Sequence, residues 1–256
     1  MTASGPAPER SEDFEALYDL ADPRAYYRGL APSGYAMPAQ VAQAVRRLSV
    51  GRRPFHVLDF ACGYGAVGLL LRTGLSMADL YRRYADAADP SDDARAFDAA
   101  PGRWRIAGLD VAGRALAYAQ AVGAVDLGFC ENVLEKAPSA GLTAFLRQAD
   151  LIVESGAVGG LLAPALPRLI AAAAPRRPTI LYCPRPNVDP GPIASAVTAH
   201  GYAVAPYGAP VAYRKPLSAA ERSTVAAAAA ALGLSSDAVF DADGFMRVQM
   251  RCAQPS

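Results

Sequence analysis

Short apolar runs alternate along this chain with segments of helical periodicity, and glycine- or proline-containing turns separate them. The apolar runs predict strands over Phe55–Phe60, 105–109, 125–129, 150–154, 179–183 and Tyr202–Pro206. A last strand is expected over 245–252, where Val248 and Met250 alternate with Arg247, Gln249 and Arg251. Helical spacing predicts helices over 11–20, 39–48, 65–72, 76–84, 112–122, 142–148, 161–174, 192–200 and 218–232. Ser11 stands where it can cap the first helix, and Ser218 with Glu221 spells a capping box at the last. Regular alternation of this kind implies an α/β fold: a Rossmann-like, seven-stranded, mostly parallel sheet with helices on both faces. Three regions are expected: a tail over 1–10, a helical lid over 11–54, and the main domain over 55–256. An insertion over about 74–103 interrupts the main domain and turns acidic at Asp86, Asp89, Asp92 and Asp93, which reads as a solvated face.

The first strand leads into Asp59-Phe60-Ala61-Cys62-Gly63-Tyr64-Gly65-Ala66-Val67-Gly68. A strand-end carboxylate followed by a glycine turn and a helix suits a ligand with hydroxyls, an amine and a carboxylate. Gly63, Gly65 and Gly68 also spell the dinucleotide fingerprint. Three features weigh against a dinucleotide. Asp59 would oppose a pyrophosphate, the next strand-end acid (Asp110) lies beyond a long insertion, and no second phosphate loop follows. A third reading takes the glycines as a packing device between helix and strand. Ligands in such sheets bind at the carboxyl ends of strands. Asp110, Glu131 and Glu154 all fall at those ends.

The pattern from Val57 to Gly65 resembles the first motif of class I S-adenosylmethionine (SAM) methyltransferases, with Ala61 where glycine is commoner. The resemblance spans roughly residues 55–252. It implies a SAM site lined by Asp59, Ala61, Gly63 and Gly65. Asp110, followed by Val111, matches the acid that holds the ribose hydroxyls. Glu131, Asn132 and Val133 would face the adenine, although a loop of this composition also serves to cap a turn. Glu154 and Ser155, at the end of the fourth strand, would stand nearest the reacting group. Glu154 is a candidate base or orienting group, and Ser155 reads equally as a helix cap. The segment 22–38 is rich in tyrosine and arginine. Tyr26, Tyr27 and Tyr35 are candidates to face the sulfonium, with Tyr26 also a candidate catalytic residue; the alternative is ordinary packing.

The family reading implies methyl transfer to a small molecule. It leaves two alternatives: cyclisation of SAM to azetidine-2-carboxylate with release of methylthioadenosine, and SAM binding without turnover. The 256 residues suffice for one large domain, and the formal net charge of +1 offers no basic field for nucleic acid. No apolar run reaches the roughly 20 residues of a membrane span, and the first residues carry no apolar signal core, so a cytoplasmic location is expected. Cys62, Cys130, Cys183 and Cys252 form no C-x-x-C pair and are expected as reduced, partly buried thiols. With two histidines, no metal site is expected. The alanine-rich helices are compatible with a homodimer.

Overall fold

A computed structural model describes residues 17–86, 89–99, 102–156 and 161–256. The expected tail and the Ser11 cap lie outside these residues. Five parallel strands form most of the sheet: β1 (Phe55–Phe60), β2 (Trp104–Asp110), β3 (Leu127–Cys130), β4 (Leu151–Glu154) and β5 (Thr179–Tyr182). β6 (Tyr202–Pro206) is the far edge strand. β7 (Val211–Ala212) pairs with β8 (Arg247–Val248) in a separate two-stranded ribbon. β9 (Arg251–Pro255) inserts antiparallel between β5 and β6, giving the order β3-β2-β1-β4-β5-β9-β6. The seven-stranded, mostly parallel sheet is the expected one.

Side chains alternate between the two faces, so the strands feed two cores. Val57, Ile106, Leu151 and Leu181 enter one core. Leu58, Phe60, Leu109, Ile152 and Tyr182 enter the other. By the same alternation Asp59 falls on the first face, in register with Gly108 of β2 and Val153 of β4. The first face is covered by α1 (Arg24–Leu30), α2 (Met37–Leu48), α3 (Ala66–Thr73), α4 (Met77–Ala85), α5 (Asp93–Phe97) and α6 (Gly113–Ala121). The second is covered by α7 (Ala140–Leu146), α8 (Leu162–Ala173) and α9 (Gly191–Thr198). α10 (Ala219–Ala231) and α11 (Ser236–Val239) belong to the segment between β7 and β8. α2 packs against α3 within the covering layer, and α1 packs against α4. The chain that lies over the strand ends is therefore the stretch around residues 17–35.

Three expectations change. The alternating pattern over 245–252 is divided between β8 and β9: Arg247 and Val248 pair with β7, and the sheet strand begins at Arg251. Alternation alone could not say which edge the residues join. The acidic insertion is not uniformly solvated. Asp93 is fully buried, where Arg24 and Arg83 pair with its Oδ1 and the Tyr118 hydroxyl donates to Oδ2 at 2.7 Å. The reciprocal capping box lies at Ser76 and Asp79, opening α4. At Ser218 only half of one forms, because the Glu221 carboxylate turns to Arg214 and to the Leu217 N–H. The four cysteines are free thiols, as expected; Cys62, Cys183 and Cys252 are buried and Cys130 is exposed. No helix among the described residues is long and apolar enough to cross a membrane.

Candidate functional site

The turn between β1 and α3 runs through left-handed backbone at Ala61 (φ 54°), Gly63 (φ 50°) and Gly65 (φ 73°). Ala61 bears the steric cost of its Cβ there, roughly 1 kcal/mol. Gly65 and Gly68 are packing positions. A Cβ on Gly65 would lie 2.7 Å from the Ala124 Cβ, and one on Gly68 only 2.0 Å from the Ala124 carbonyl oxygen. The third glycine of the G-x-G-x-x-G pattern thus lets α3 seat against the turn before β3. Gly63 is different: its N–H donates to Asp110 Oδ2 at 2.7 Å, tying the loop to the end of β2.

Three carboxylates meet at this edge of the sheet. Asp110 is buried and accepts from the N–H groups of Gly63 and Ala112. Asp59 is 1% exposed, and neither of its oxygens has a hydrogen-bond partner. Burial, reinforced by the charges of Asp110 and Glu154, pushes its carboxyl well above the usual carboxylate range. Glu154 is buried and accepts from Gly156 N–H at 2.6 Å and Cys183 N–H at 3.1 Å, which joins the exit loops of β4 and β5. Other buried carboxylates in this protein are ion-paired: Asp93 with Arg24 and Arg83, and Asp150 with Arg52 and Arg176. Asp59 and Asp110 make no ion pair among the described residues. Nor is any group of three or more His, Cys, Asp or Glu placed there to hold a metal ion.

A layer of tyrosines closes over these acids. The Tyr18 hydroxyl donates to Asp110 Oδ2 at 3.0 Å and lies over Gly63, where a Cβ would come within 2.9 Å of the tyrosine hydroxyl oxygen. Its segment is held on either side of the tyrosine, with the Tyr64 hydroxyl 3.2 Å from the Leu17 carbonyl. The Tyr64 hydroxyl accepts from Leu20 N–H at 3.0 Å, and Asp19 accepts from Arg114 N–H at 2.7 Å, satisfying orphan donors at the start of α6. Tyr26 packs against Tyr18, Tyr27 and Tyr64 at centroid distances of 5.3–5.6 Å. Tyr27 is 2% exposed and stacks on Tyr84 at 4.2 Å, so its ring is part of the aromatic core. The Tyr35 hydroxyl donates to the Ser155 carbonyl at 2.6 Å and its ring meets Tyr213 edge-on. The Tyr213 hydroxyl lies 3.3 Å from the Gly156 carbonyl. Burial raises the phenols of Tyr18, Tyr26, Tyr35 and Tyr213, so all four stay protonated near neutral pH. Ala157 to Gly159, expected as the continuation of the β4 exit loop, lie outside the described residues.

The other end of the edge is open. Cys130, Glu131, Asn132, Glu135, Lys136 and Ser139 line a cleft of about 380 Å³ after β3. Glu131 accepts from Ser139 N–H, and Asn132 closes a turn onto Leu134 N–H. Val133 is buried in the second core, and Val111 is 65% exposed. Asp59, Gly63, Asp110, Glu154, Ser155, Tyr26 and Tyr35 are therefore brought together, while Glu131 and Asn132 line the separate cleft. The sequence reading missed Tyr18, Tyr64 and Tyr213. Tyr18 falls within the helix expected over 11–20 with no local sign of a site, and no local signal ties Tyr213 to a site more than 50 residues away in the chain.

No family model and no curated protein matches the sequence. Among solved structures, a cyclopropane-fatty-acyl-phospholipid synthase-like protein from Lactobacillus casei aligns with TM-score 0.50 and 12% identity, covering 96% of this chain and 100% of that one. The N-methyltransferase NodS from Bradyrhizobium japonicum, in complex with S-adenosyl-L-homocysteine, aligns with TM-score 0.47 and 13% identity over 96% and 98% of the two chains. Magnesium protoporphyrin IX methyltransferase from Synechocystis, with bound SAM, gives TM-score 0.46 and 10% identity over 86% and 79%. Taken with the strand order and the antiparallel β9, the first of these likenesses gives this chain the fold of the class I SAM-dependent methyltransferases.

Proposed function

We propose that this protein binds SAM across the ends of β1, β2 and β4 and transfers its methyl group to a small molecule. The observation that carries the reading is Asp59. A buried carboxylate without hydrogen bonds, next to two more carboxylates, is costly unless a cation comes to it. SAM brings an ammonium and a sulfonium. The rest of the edge supports the same ligand. Gly63 leaves room for close backbone approach, Asp110 offers acceptors suited to ribose hydroxyls, and exposed Val111 offers an apolar surface beside the open cleft.

When bound, SAM would supply a methyl group activated by its positive sulfur. The chain's own part is binding and enclosure. Asp110 takes the ribose hydroxyls once the Tyr18 hydroxyl gives way. The tyrosine layer excludes water, and its ring faces attract the sulfonium by about 0.5–2 kcal/mol. Glu154 holds the β4 and β5 exit loops in place through its two backbone hydrogen bonds and so acts as a positioning residue. Rate then comes from alignment and desolvation of the nucleophile against the methyl carbon.

One observation favours the alternative of SAM cyclisation. The phenols at the reacting end stay protonated, and Glu154 is engaged with backbone N–H groups, which leaves little provision for deprotonating an acceptor. In that reaction the donor's own amine nitrogen bonds to its γ-carbon as the carbon–sulfur bond breaks. The amine reacts in its neutral form, the sulfur leaves as a neutral thioether, and the positive charge passes to the ring nitrogen, so no base is needed at the reacting atoms. Incubation of the pure protein with SAM alone, followed by mass spectrometry of the nucleosides, separates the readings. SAM bound but unconverted supports methyl transfer to a second molecule. Methylthioadenosine with a cyclic amino acid supports cyclisation. A failure to bind SAM contradicts both.

A further inference from the structure

α1 carries Tyr26 and Tyr27 into the aromatic layer, yet it has only seven residues and no side-chain cap. A helix of that length does not hold its own position, so its ties must come from outside. Two of them lead into the insertion. Arg24, 3% exposed and on the same helix as Tyr26, places Nη2 3.0 Å from Asp93 Oδ1. Tyr27 stacks on Tyr84 of α4 at 4.2 Å. Asp93 opens α5 and is fully buried. Its Oδ1 also accepts from Nε and Nη2 of Arg83, on α4, at 3.1 and 2.9 Å. Its Oδ2 accepts from the hydroxyl of Tyr118, on α6, at 2.7 Å.

One carboxylate thus gathers α1, α4 and α6, and it reaches the site along two routes. Through Arg24 it fixes the helix that bears Tyr26. Through Tyr118 it reaches Tyr64, whose ring meets that of Tyr118 edge-on at 5.9 Å. Tyr64 stands in the glycine turn between Gly63 and Gly65, packs against Tyr26, and accepts from the Leu20 N–H beside Tyr18. The charges around Asp93 balance. Arg24 and Arg83 face it, Asp22 takes the other arm of Arg24 at 3.0 Å, and Asp92 is engaged by the exposed Arg95. Exposed Asp89 adds only an attraction to Arg24. Without the Asp93 charge, two arginines would face the half-exposed Asp22 alone. A buried charge that loses its partner is uncompensated, so Arg24 would turn towards water and take α1 with it.

We propose that Asp93 is the positioning residue of the tyrosine layer: it braces α1 on α4 and α6, so that the Tyr26 ring stays closed over bound SAM. This inference rests on the SAM-dependent reading above. The test follows SAM dissociation from the full-length protein by stopped flow, and amide hydrogen exchange over residues 24–30 by mass spectrometry with and without SAM. Asp93→Asn removes the brace at its centre, and Arg24→Met severs only the tie to α1. Asp150→Asn is the control. Asp150 is likewise a buried aspartate paired with two arginines, Arg52 and Arg176, but it lies directly before β4, at the opposite edge of the sheet.

The expected result is SAM release at least about tenfold faster from Asp93→Asn and several-fold faster from Arg24→Met, with faster exchange over 24–30 in both. Asp150→Asn should lower the melting temperature yet release SAM, and exchange over 24–30, as the wild-type chain does. Wild-type release from Arg24→Met overturns the proposal, and that variant decides the matter where Asp93→Asn does not fold. An equal acceleration in Asp150→Asn also overturns it, because the effect would then be one of global stability. Failure of the wild-type chain to bind SAM is a separate result, and it strikes the proposed function itself. Exchange in the free protein still tests the brace in that event, and unchanged exchange over 24–30 in Arg24→Met overturns it.

Discussion

The Tyr18 hydroxyl and the Gly63 N–H share one oxygen of Asp110, at 3.0 and 2.7 Å. The same carboxylate that would hold a ribose is thereby occupied by a residue of the strap around residues 17–20. Binding of SAM has to replace that tyrosine hydrogen bond by one from the ligand. Tyr18→Phe removes the competitor but keeps the ring. SAM affinity should rise a few-fold, corresponding to a net hydrogen bond of about 0.5–1.5 kcal/mol. Isothermal titration reads this directly; a fall in affinity would mean that the hydroxyl contacts the ligand instead of competing with it.

Asp59 gives a prediction with a definite pH sign. Its carboxyl is raised in the folded protein by burial and by the neighbouring acids. The folded chain therefore holds this proton more tightly than the unfolded chain. The associated stability is present in full below the ordinary carboxylate pKa of about 4 and is lost as pH rises through the raised folded value. Asp59→Asn should remove that loss. The variant should be more stable than wild type at neutral pH, by about 1–3 kcal/mol, with the difference shrinking toward acid pH. It should also bind SAM at least about tenfold less tightly and lose the rise of SAM affinity with pH expected when a cation binds beside a carboxylate that must give up its proton. Denaturant melts and SAM titrations across the pH range check both.

Glu154→Gln tests the positioning role. Glutamine offers one acceptor oxygen where the carboxylate offers two, and its amide nitrogen would face either the Gly156 or the Cys183 N–H. The expected cost is about 1–3 kcal/mol of stability, with turnover falling more than SAM affinity. A melting temperature equal to wild type together with lost turnover would indicate a direct role at the reacting atoms.

Gly68→Ala separates the packing glycine from the ligand glycine. The added methyl meets the Ala124 carbonyl at 2.0 Å, and backbone cannot swing aside as a side chain can. A loss of about 3 kcal/mol or more is expected, seen as a large fall in melting temperature or in soluble yield. Unchanged stability would mean that α3 is not seated against this turn.

The sheet was legible because parallel strands buried on both faces leave apolar runs, and the acids at their ends stand out against them. Asp59, Asp110 and Glu154 were all visible in this way, and Gly63 through the glycine turn that follows β1. The tyrosine layer was only half visible. Tyr26 and Tyr35 lie in a conspicuous cluster, but Tyr18, Tyr64 and Tyr213 reach the site through packing between distant segments. Asp93 shows the same limit, since an aspartate in an acidic run looks solvated until Arg24, Arg83 and Tyr118 are seen to converge on it. The division of 245–252 between β8 and β9 was hidden because period-two alternation fits any sheet edge.

The central claim is that SAM binds at the Asp59–Asp110 edge. Calorimetric titration of SAM into the wild-type chain and into Asp110→Ala tests it most directly. The account predicts one SAM per chain, with affinity at least about tenfold weaker in the folded variant, since Asp110 would hold the ribose hydroxyls by charge-assisted hydrogen bonds. No binding to the wild-type chain, or equal affinity for both proteins, would contradict it.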